Sequence, residues 1–334
     1  MKPALHDHPV IPSPKIGVLL TNLGTPDDPE ANAVRRYLAE FVSDRRVIEI
    51  PKIAWLPILH GIILRTRPKK SAEAYAKIWT PDGSPLAAIT KAQALALKDA
   101  FGPNLIVDYA MRYGRPSIAE RLAALKTAGC ERILIAPLYP QYCAATTATA
   151  HDAAFLALSA MRWQPALRTL PPYYADPVYI NALALGVRAG IAALDFNPDA
   201  IVASFHGMPT RTLQQGDPYH CHCAKTARLL STELGEKVVL CFQSRFGRAE
   251  WLEPATDITL AALPGKGVKR VAIVTPGFAA DCVETLEEIA IRGRETFVNA
   301  GGTHFAALPC LNASAIGVAM LQTLLARELA GWAD

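Results

Sequence analysis

Six short apolar runs rich in Val, Ile and Leu recur along the chain, separated by longer amphipathic stretches. The runs are IGVLLTNLG (16–24), LIVDYAMRYG (105–114), RILIAPLYP (132–140), AIVASFHG (200–207), KVVLCFQS (237–244) and RVAIVTPGF (270–278). A stretch between two of them, PSIAERLAALKTAG (116–129), places its apolar residues at helical spacing. Apolar strands that alternate with helices predict an α/β protein with parallel sheets.

The six runs fall into two groups, three within 16–140 and three within 200–278. The segment between the groups, RTLPPYYADPVY (168–179), is rich in proline, so we predict that it crosses between the halves rather than joining the core. The simplest architecture is two similar α/β halves with a cleft between them. In open α/β sheets, ligands bind at the carboxyl ends of the strands, where several of these runs end in Gly or Pro.

Composition restricts the partners that the chain can have. Hydrophobic residues make up 51% of its 334 residues and charged residues 19%, which is typical of a folded protein. The net charge of +4 is too small to indicate a nucleic-acid surface, although it is compatible with a small anionic ligand. The segment MKPALHDHPVIPSPK (1–15) lacks the apolar core of a secretion signal, and no uncharged stretch is long enough to span a bilayer. We therefore expect a cytoplasmic protein that binds no nucleic acid.

One apolar segment, IAWLPILHGIIL (53–64), is uncharged throughout, and Pro57 interrupts it. Four basic residues follow it: Arg65, Arg67, Lys69 and Lys70. The segment is too short to cross a bilayer. Two interpretations are equally open: a buried helix, or a lip helix that contacts a membrane surface with its basic residues toward anionic headgroups. The second interpretation predicts peripheral association with the inner membrane.

The fourth run ends on His206 and turns at once through Gly207 and Pro209. His206 would therefore lie at the carboxyl end of a strand, where an α/β cleft presents its reactive groups. An unperturbed imidazole has a pKa of about 6.5, so its neutral form takes up a proton or holds a metal near neutral pH. A lone histidine more often has a structural role, so the interpretation depends on its partners.

Carboxylates follow the last run, in TPGFAADCVETLEEIAIR (275–292). On a regular helix Asp281, Glu284 and Glu288 share one face, and Glu287 lies farther from it. A row of carboxylates facing a histidine would carry protons or guide a divalent cation. The alternative is a solvated acidic first turn, favoured by the helix dipole, in which Glu287 and Glu288 are surface charges.

A third cluster, CFQSRFGRAEWLEPATD (241–257), follows the fifth run. Arg245 could bind an anionic substituent and Trp251 could stack on a flat ring, although each alone is equally typical of a surface or core residue. The motifs GxGxxG, GxxxxGK[ST], HExxH and GxSxG are absent from the sequence. Dinucleotide-binding, P-loop, zinc-protease and hydrolase-elbow functions therefore have no support.

The densest group of metal-ligating residues is HCHC (220–223), but no CxxC or second ligand pair flanks it. GDP before it predicts a turn and AKTARLLSTELG after it predicts a helix, so we place the motif at a helix start. Consecutive residues fan out around a helix axis, so the four side chains would not converge on one ion. The other cysteines are scattered along the chain, and we expect them to be small buried hydrophobes.

Several of these segments together resemble the signature segments of the ferrochelatase family, in order and in spacing. In the second half they are SFHGMP (204–209), GDPYHCHC (216–223), FQSRFGRAEWLEPATD (242–257) and PGFAADCVETLEEI (276–289). In the first half they are VLLTNLGTP (18–26), FVSDRRVIEIP (41–51), GSPL (83–86), MRYG (111–114) and LYPQYCAATT (138–147). The resemblance covers nearly the whole chain and is strongest to proteobacterial members.

The resemblance implies an enzyme that inserts Fe(II) into protoporphyrin IX to form protohaem, the terminal step of haem biosynthesis, with release of two protons. It also implies two similar Rossmann-like domains, 15–180 and 181–311, with the porphyrin in the cleft between them. A C-terminal helix at about 312–331 would pack back on the first domain. Fe(II) is then a substrate, and no organic cofactor is expected. A monomer and a homodimer are both open.

The resemblance also implies the site residues. His206 and Glu284 match the essential histidine and glutamate, which would act on the protons and the metal. Three further carboxylates match an acidic row on a helix with a π-type widening, a feature often found at functional sites; they are Asp281, Glu287 and Glu288. The positions that match the porphyrin-binding pocket are Leu23, Arg112, Tyr113, Trp251 and Phe278. An apolar, aromatic pocket with a few polar groups suits a flat, apolar porphyrin.

Some relatives hold an iron–sulfur cluster through cysteines in a C-terminal extension. Here the last cysteine is Cys310, and Cys143 lies one place from the cysteine that those relatives use in the matching segment. We therefore expect no [2Fe-2S] cluster. Other functions stay open: a coproporphyrin ferrochelatase, another tetrapyrrole metal chelatase, or a tetrapyrrole- or metal-binding protein without turnover. The last of these has no use for His206 and Glu284 together.

Overall fold

The computed structural model describes residues 14–103, 105–247 and 249–333. Most of segment 1–15, in which we found no secretion signal, therefore lies outside the described residues. The described residues form two four-stranded sheets in which every strand pairing is parallel. This arrangement confirms the predicted α/β class with two similar halves.

The two sheets have the same strand order. The first sheet contains β1 (Lys15–Gly24), β2 (Leu105–Tyr113), β3 (Cys130–Pro137) and β4 (Ala166–Thr169), in the order β2-β1-β3-β4. The second contains β5 (Ala200–His206), β6 (Val238–Gln243), β7 (Arg270–Val274) and β8 (His304–Ala307), in the order β6-β5-β7-β8. Each of the six predicted apolar runs corresponds to one strand, so only β4 and β8 were missed.

Helices connect these strands. In the first half they are α1 (Ala31–Phe41), α2 (Lys52–Ile58), α3 (Leu64–Ile78), α4 (Pro85–Phe101), α5 (Ile118–Thr127) and α6 (Thr149–Ser159). After β4 they are α7 (Pro177–Ala192), α8 (Thr210–Gln214), α9 (Tyr219–Leu234), α10 (Thr256–Ala262), α11 (Arg294–Asn299) and α12 (Ala315–Leu329). Three segments are π-helical, Leu59–Ile63, Ala144–Ala148 and Glu284–Gly293, and Pro264–Lys266 is a 3₁₀ turn.

The missed strands β4 and β8 are short and lie at sheet edges. Each has 4 residues, ALRT and HFAA, and most of these residues are only half-buried. A central strand that is buried on both faces has a long apolar run, but an edge strand needs none. The apolar pattern by which we located the other strands is therefore absent from these two.

The prediction that 168–179 stays outside the core is wrong. Its first two residues belong to β4, and both Tyr173 and Tyr179 are buried. The Tyr179 hydroxyl donates a hydrogen bond to the Pro276 carbonyl. The prolines act locally, since Pro177 occupies the first turn of α7, a position that proline favours. Tyr173 and Tyr179, on either side of Pro177, turn inward.

A continuous apolar core joins the two halves. It includes buried side chains of β1, β5 and α12: Val18, Leu20, Ala203, Phe205, Leu321 and Leu325. The guanidinium of Arg168 in β4 donates a hydrogen bond of 2.6 Å to the carbonyl of Glu328 in α12. The last described helix therefore contacts the first half of the chain.

The apolar segment 53–64 is not a buried helix, so that interpretation is wrong. It comprises α2, a π-helical turn and the start of α3, with only Leu59 and Leu64 buried. Ile53 is 89% exposed and Ile62 is 57% exposed. Among the described helices, none has the length and apolar character needed to cross a membrane. The segment presents apolar side chains to solvent instead of burying them.

Gly24 ends β1 in a conformation that only glycine adopts without strain. Its φ is +111°, and a Cβ atom there would lie 1.8 Å from the Tyr113 carbonyl oxygen. We expect Gly24→Ala to lower the free energy of unfolding by about 3 kcal/mol or more, because strain and a backbone clash act together. Urea unfolding measures this change.

Gly61 provides the matched control for that variant. A Cβ atom at Gly61 meets nothing within 4 Å, and the residue is helical. Gly61→Ala should therefore leave the free energy of unfolding unchanged or raise it by up to about 1 kcal/mol. Equal stability of the two variants would contradict the steric account of Gly24.

Candidate active site

His206 lies at the carboxyl end of β5, as the sequence predicted, and pairs with Gln243 at the end of β6. The ring is partly buried, and its Nδ1 lies 2.7 Å from the Gly207 carbonyl oxygen. A carbonyl oxygen only accepts hydrogen bonds, so Nδ1 carries the proton in this contact. In the neutral ring the lone pair is then on Nε2. His206 is therefore arranged as a proton acceptor or metal ligand through Nε2.

Gly207 allows close packing behind the histidine. Its N–H donates to the Gln243 carbonyl at 2.7 Å, and a Cβ atom there would lie only 2.6 Å from that oxygen. The same Cβ atom would lie 3.3 Å from the Trp251 ring. Trp251 is buried, and its Nε1 donates to the Phe246 carbonyl at 3.0 Å. Trp251 therefore lies beside His206 and is held by its own hydrogen bond.

Glu284 is the first residue of the π-helical segment Glu284–Gly293 and is partly buried. Gln243 Nε2 donates to the Glu284 carbonyl at 3.0 Å, which links this helix start to the strand pair that carries His206. Among the described residues, no Arg, Lys or His forms an ion pair with the Glu284 carboxylate. Its charge is therefore available to an incoming cation or proton.

The surroundings of Glu284 are neutral hydroxyl and thiol groups. Burial raises the pKa of the Tyr75 hydroxyl well above its ordinary value, and the charge of Glu284 raises it further. The pKa of the Cys282 thiol is raised by burial first and by Glu284 second. The pKa of Tyr37 is raised by burial, by Tyr75 and by Glu284. These groups stay protonated beside the carboxylate, so the nearby negative charge belongs to Glu284.

Asp281 does not share a regular helical face with Glu284, so that prediction is wrong. It precedes the helix, is buried, and accepts hydrogen bonds from Asn312 Nδ2 at 2.6 Å and Thr285 Oγ1 at 2.8 Å. The π-helical segment starts only at Glu284, and its wider turns change which residues align. Asp281 ties the loop before the helix to the loop that carries Asn312.

Glu287 and Glu288 are each held by partners. The Glu287 side chain is 5% exposed and accepts from Lys77 Nζ at 3.1 Å and Arg292 Nε at 2.8 Å. Glu288 accepts from both the backbone N and the Oγ of Ser244, at 2.7 and 2.6 Å. The alternative in which Glu287 is a surface charge is therefore wrong. Of the predicted row, Glu284 alone has no such partner among the described residues.

Arg112 and Tyr113 form a group with Asp44. The Arg112 guanidinium pairs with the Asp44 carboxylate and lies 4.3 Å from the centroid of the Tyr113 ring. The Tyr113 hydroxyl donates to the same carboxylate at 3.0 Å, and the Tyr113 side chain is 1% exposed. Tyr113 therefore supports Arg112 and Asp44 from the interior. The sequence analysis assigned no role to Asp44, although FVSDRRVIEIP contains it.

Leu23 and Phe278 meet at the junction of the two halves. Both belong to one small apolar cluster that also contains Leu86, Ala280 and Cys282. Leu23 is the penultimate residue of β1, and Phe278 follows β7, so the cluster joins the carboxyl ends of the two sheets. Leu23 and Phe278 therefore supply apolar surface where the two sheets meet, and Trp251 supplies aromatic surface beside Gly207.

Tyr37 and Tyr75 are the site residues that the sequence analysis missed. Neither follows a strand, since they lie in α1 and α3. Both are buried polar residues on otherwise amphipathic helices. A single sequence does not distinguish such a residue from an ordinary core aromatic.

The HCHC motif lies at the start of α9, as predicted, and its side chains have separate surroundings. The His222 ring stacks on Tyr174 with centroids 3.6 Å apart, and Cys223 is fully buried whereas Cys221 is exposed. Burial lowers the pKa of His222, which favours its neutral form. In the part of the chain that the structure describes, no three His, Cys, Asp or Glu side chains are grouped to hold a metal ion.

Comparison with known proteins shows the family to which the chain belongs. Residues 15–329 match the sequence model of the ferrochelatase family. The chain is 55% identical to the ferrochelatase of Rhizobium meliloti (strain 1021), over 98% of each chain. It is 52% identical to the ferrochelatase of Agrobacterium fabrum (strain C58 / ATCC 33970), over 98% of this chain and 97% of that one.

Solved structures of similar fold include SirB from Bacillus subtilis with Fe3+, with a TM-score of 0.54, 13% identity, and coverage of 96% of this chain and 99% of that chain. CbiX, described as the terminal enzyme for biosynthesis of siroheme in denitrifying bacteria, has a TM-score of 0.52 at 15% identity, with 95% and 100% covered. At these identities the likeness concerns the fold alone. The family match and the sequence relatives show that this chain is a member of the ferrochelatase family.

Proposed function

We propose that this chain inserts ferrous iron into protoporphyrin IX to form protohaem. The observation that carries the proposal is that Gln243 links the strand that ends on His206 to the helix start at Glu284, whose carboxylate has no cationic partner among the described residues. Insertion of Fe(II) removes two pyrrole protons from the porphyrin. A neutral base and an unpaired carboxylate at one site match that requirement.

In this proposal Glu284 attracts Fe(II), His206 Nε2 accepts one pyrrole proton, and the Glu284 carboxylate receives the second as the porphyrin nitrogens take the metal. The acceptor atom is Nε2 because Nδ1 lies 2.7 Å from the Gly207 carbonyl oxygen and donates to it. The iron is a substrate, so the four porphyrin nitrogens complete its coordination. This explains why a protein site of three or more ligands is not required.

Side chains around the pair suit a flat apolar ring. Leu23, Phe278 and Trp251 offer apolar or aromatic surface, and such surface forms most of the lining of small-molecule sites. Arg112 supplies a positive group fixed by Asp44, suited to a carboxylate substituent of the ring. We assign Asp281, Glu287 and Glu288 to holding the π-helical segment in place, because each already has hydrogen-bond or ion-pair partners.

We also propose that the exposed segment 53–64 contacts an anionic membrane surface. Its exposed apolar side chains include Ile53, Leu56, Ile58 and Ile62. Arg65, Lys69 and Lys70 are exposed just beyond them. The Arg67 guanidinium instead lies 4.6 Å from the centroid of the Phe246 ring, and burial lowers its pKa. Apolar side chains beside basic ones are typical of segments that lie in a bilayer interface.

His206→Ala tests the proposed reaction. Protein, Fe(II) and protoporphyrin IX are mixed anaerobically, and absorbance follows the change from free base to metalloporphyrin. We expect wild type to convert the porphyrin and His206→Ala to be slower by about 10²- to 10⁴-fold, the range for loss of a general base. Porphyrin binding, measured by fluorescence, should be retained.

The control is His304→Ala, which removes an exposed histidine in β8. It should retain wild-type activity. Near-normal turnover by His206→Ala would reject the general-base role. Conversion of coproporphyrin but not protoporphyrin IX by wild type would reassign the substrate.

Glu284→Gln and Glu287→Gln should fail in different ways. Glu284→Gln removes an unpaired charge, so we expect kcat to fall about 100-fold with little change in stability. Glu287→Gln leaves Lys77 and Arg292 without a buried carboxylate, so the free energy of unfolding should fall by about 1–3 kcal/mol. Single-turnover rates and urea unfolding separate the two effects. Equal losses of kcat at unchanged stability would contradict this division.

The membrane proposal predicts binding to anionic vesicles. Wild type should co-sediment with phosphatidylglycerol vesicles more than with phosphatidylcholine vesicles, because basic side chains add attraction to anionic lipid. Replacing two exposed side chains, Ile53→Asp with Ile62→Asp, should abolish binding. Leu156→Asp, at a side chain that is 73% exposed on α6, is the matched control. Unchanged sedimentation of the double variant would exclude this segment as the contact.

We propose that the protein needs no organic cofactor and carries no [2Fe-2S] cluster. The support is that six cysteines are buried and only Cys221 is exposed, and that no three His, Cys, Asp or Glu side chains are grouped to hold a metal ion among the described residues. Protein purified anaerobically should contain no acid-labile sulfide. Stoichiometric sulfide that is lost in Cys221→Ser with Cys223→Ser would contradict the proposal.

A further inference from the structure

Gln243 contacts both candidate catalytic residues. It ends β6, is 2% exposed, and pairs with His206 in the sheet. Its carbonyl accepts the Gly207 N–H at 2.7 Å, which places the turn after His206. Its side-chain Nε2 donates to the carbonyl of Glu284 at 3.0 Å. One buried residue therefore spans the distance from the histidine strand to the start of the π-helical segment.

The orientation of the Gln243 amide is determined by its neighbours. The Glu284 carbonyl only accepts a hydrogen bond, so the amide NH₂ must point toward it. On the other side, Ser204 Oγ donates to Gln243 Oε1 at 2.7 Å. Ser204 also lies 2.7 Å from Thr256 Oγ1 at the start of α10. The reversed amide would place its oxygen against the Glu284 carbonyl oxygen and its NH₂ against the hydroxyl that Ser204 donates, so only one orientation forms both hydrogen bonds.

The bond to Glu284 acts where the helix begins. Gln243 donates its hydrogen bond to the backbone carbonyl of Glu284 itself. A shift of that carbonyl would therefore also move the Glu284 carboxylate relative to the His206 imidazole. The backbone of Gln243 meanwhile restrains the turn after His206. Gln243 therefore restrains the backbone next to both His206 and Glu284.

We propose that Gln243 is a positioning residue that sets the separation between His206 and Glu284. This inference rests on the proposed function, because it assumes that these two groups act on the same porphyrin. Gln243 itself touches neither substrate nor metal in this account, since both ends of its amide are bonded within the protein. Its effect should appear in kcat and not in porphyrin affinity.

The first test removes the amide. Gln243→Leu deletes both side-chain hydrogen bonds at similar volume and should lower kcat by about 10- to 100-fold, the scale of a misplacement near 1 Å. The dissociation constant for protoporphyrin IX should stay within about twofold of wild type, a change worth less than about 0.5 kcal/mol. Ser204→Ala is the matched control, because it disturbs the same network while the bond to Glu284 remains. It should lose stability but keep most of kcat.

The second test uses a pH dependence that a purely structural role would not produce. In Gln243→Glu, an ionised carboxylate would face the Glu284 carbonyl oxygen and repel it, whereas the protonated acid donates to it. The ratio of the variant kcat to the wild-type kcat should therefore rise as pH falls. For Gln243→Leu the same ratio should be constant. Rates are measured at a temperature at which unfolding curves show that every variant is folded. A lower kcat then does not result from a smaller folded fraction.

The outcomes separate this inference from the proposed function. If wild type forms no metalloporphyrin, or if His206→Ala and Glu284→Gln retain full activity, the proposed function is wrong. If those two variants are inactive while folded Gln243→Leu keeps kcat within twofold of wild type, the positioning inference alone is wrong. A flat Gln243→Glu ratio across pH also rejects it. A ratio that rises toward low pH, with porphyrin affinity unchanged, supports it.

Discussion

The parallel pairing of β5 with β6 places His206 opposite Gln243, and the candidate site depends on this register. A shift of one residue in the register would turn every side chain of β5 to the other face of the sheet. The buried residues on both strands oppose such a shift, since Phe205 and Phe242 are each fully buried. The packing of the second sheet therefore determines where the imidazole lies.

Among the described residues, Asp281, Glu287 and Glu288 each have hydrogen-bond or ion-pair partners, whereas the Glu284 carboxylate has no cationic partner. Glu287 forms ion pairs with Lys77 from the first half and with Arg292 from its own helix. Glu288 accepts hydrogen bonds from both the backbone N–H and the hydroxyl of Ser244. Hydroxyl and thiol groups with raised pKa surround Glu284 and stay neutral. The partners of Glu287 and Glu288 hold the π-helical segment in place. The Glu284 carboxylate is then available to interact with a bound cation or proton.

The sequence predicted well those features that depend on regular local patterns. The six apolar runs became strands, His206 ended its strand, and HCHC began a helix. Predictions failed where tertiary packing overrides the pattern. The spacing of Asp281, Glu284 and Glu288 assumed a regular helix, whereas the structure has a π-helical segment that starts at Glu284, as the family resemblance implied. The inward-facing tyrosines of 168–179 and the exposed residues of 53–64 depend on neighbours distant in sequence, which local periodicity does not encode.

The central claim is that the neutral His206 ring carries its proton on Nδ1, where the Gly207 carbonyl accepts it, so that the lone pair is on Nε2. Long-range ¹H–¹⁵N correlation spectra report which ring nitrogen carries the proton, and His206→Ala identifies the signal by its loss. At a pH where the spectrum shows the ring to be neutral, the account predicts a proton on Nδ1 and a lone pair on Nε2. A neutral His206 with its proton on Nε2 would contradict the account, because the atom that must accept a pyrrole proton would already hold one.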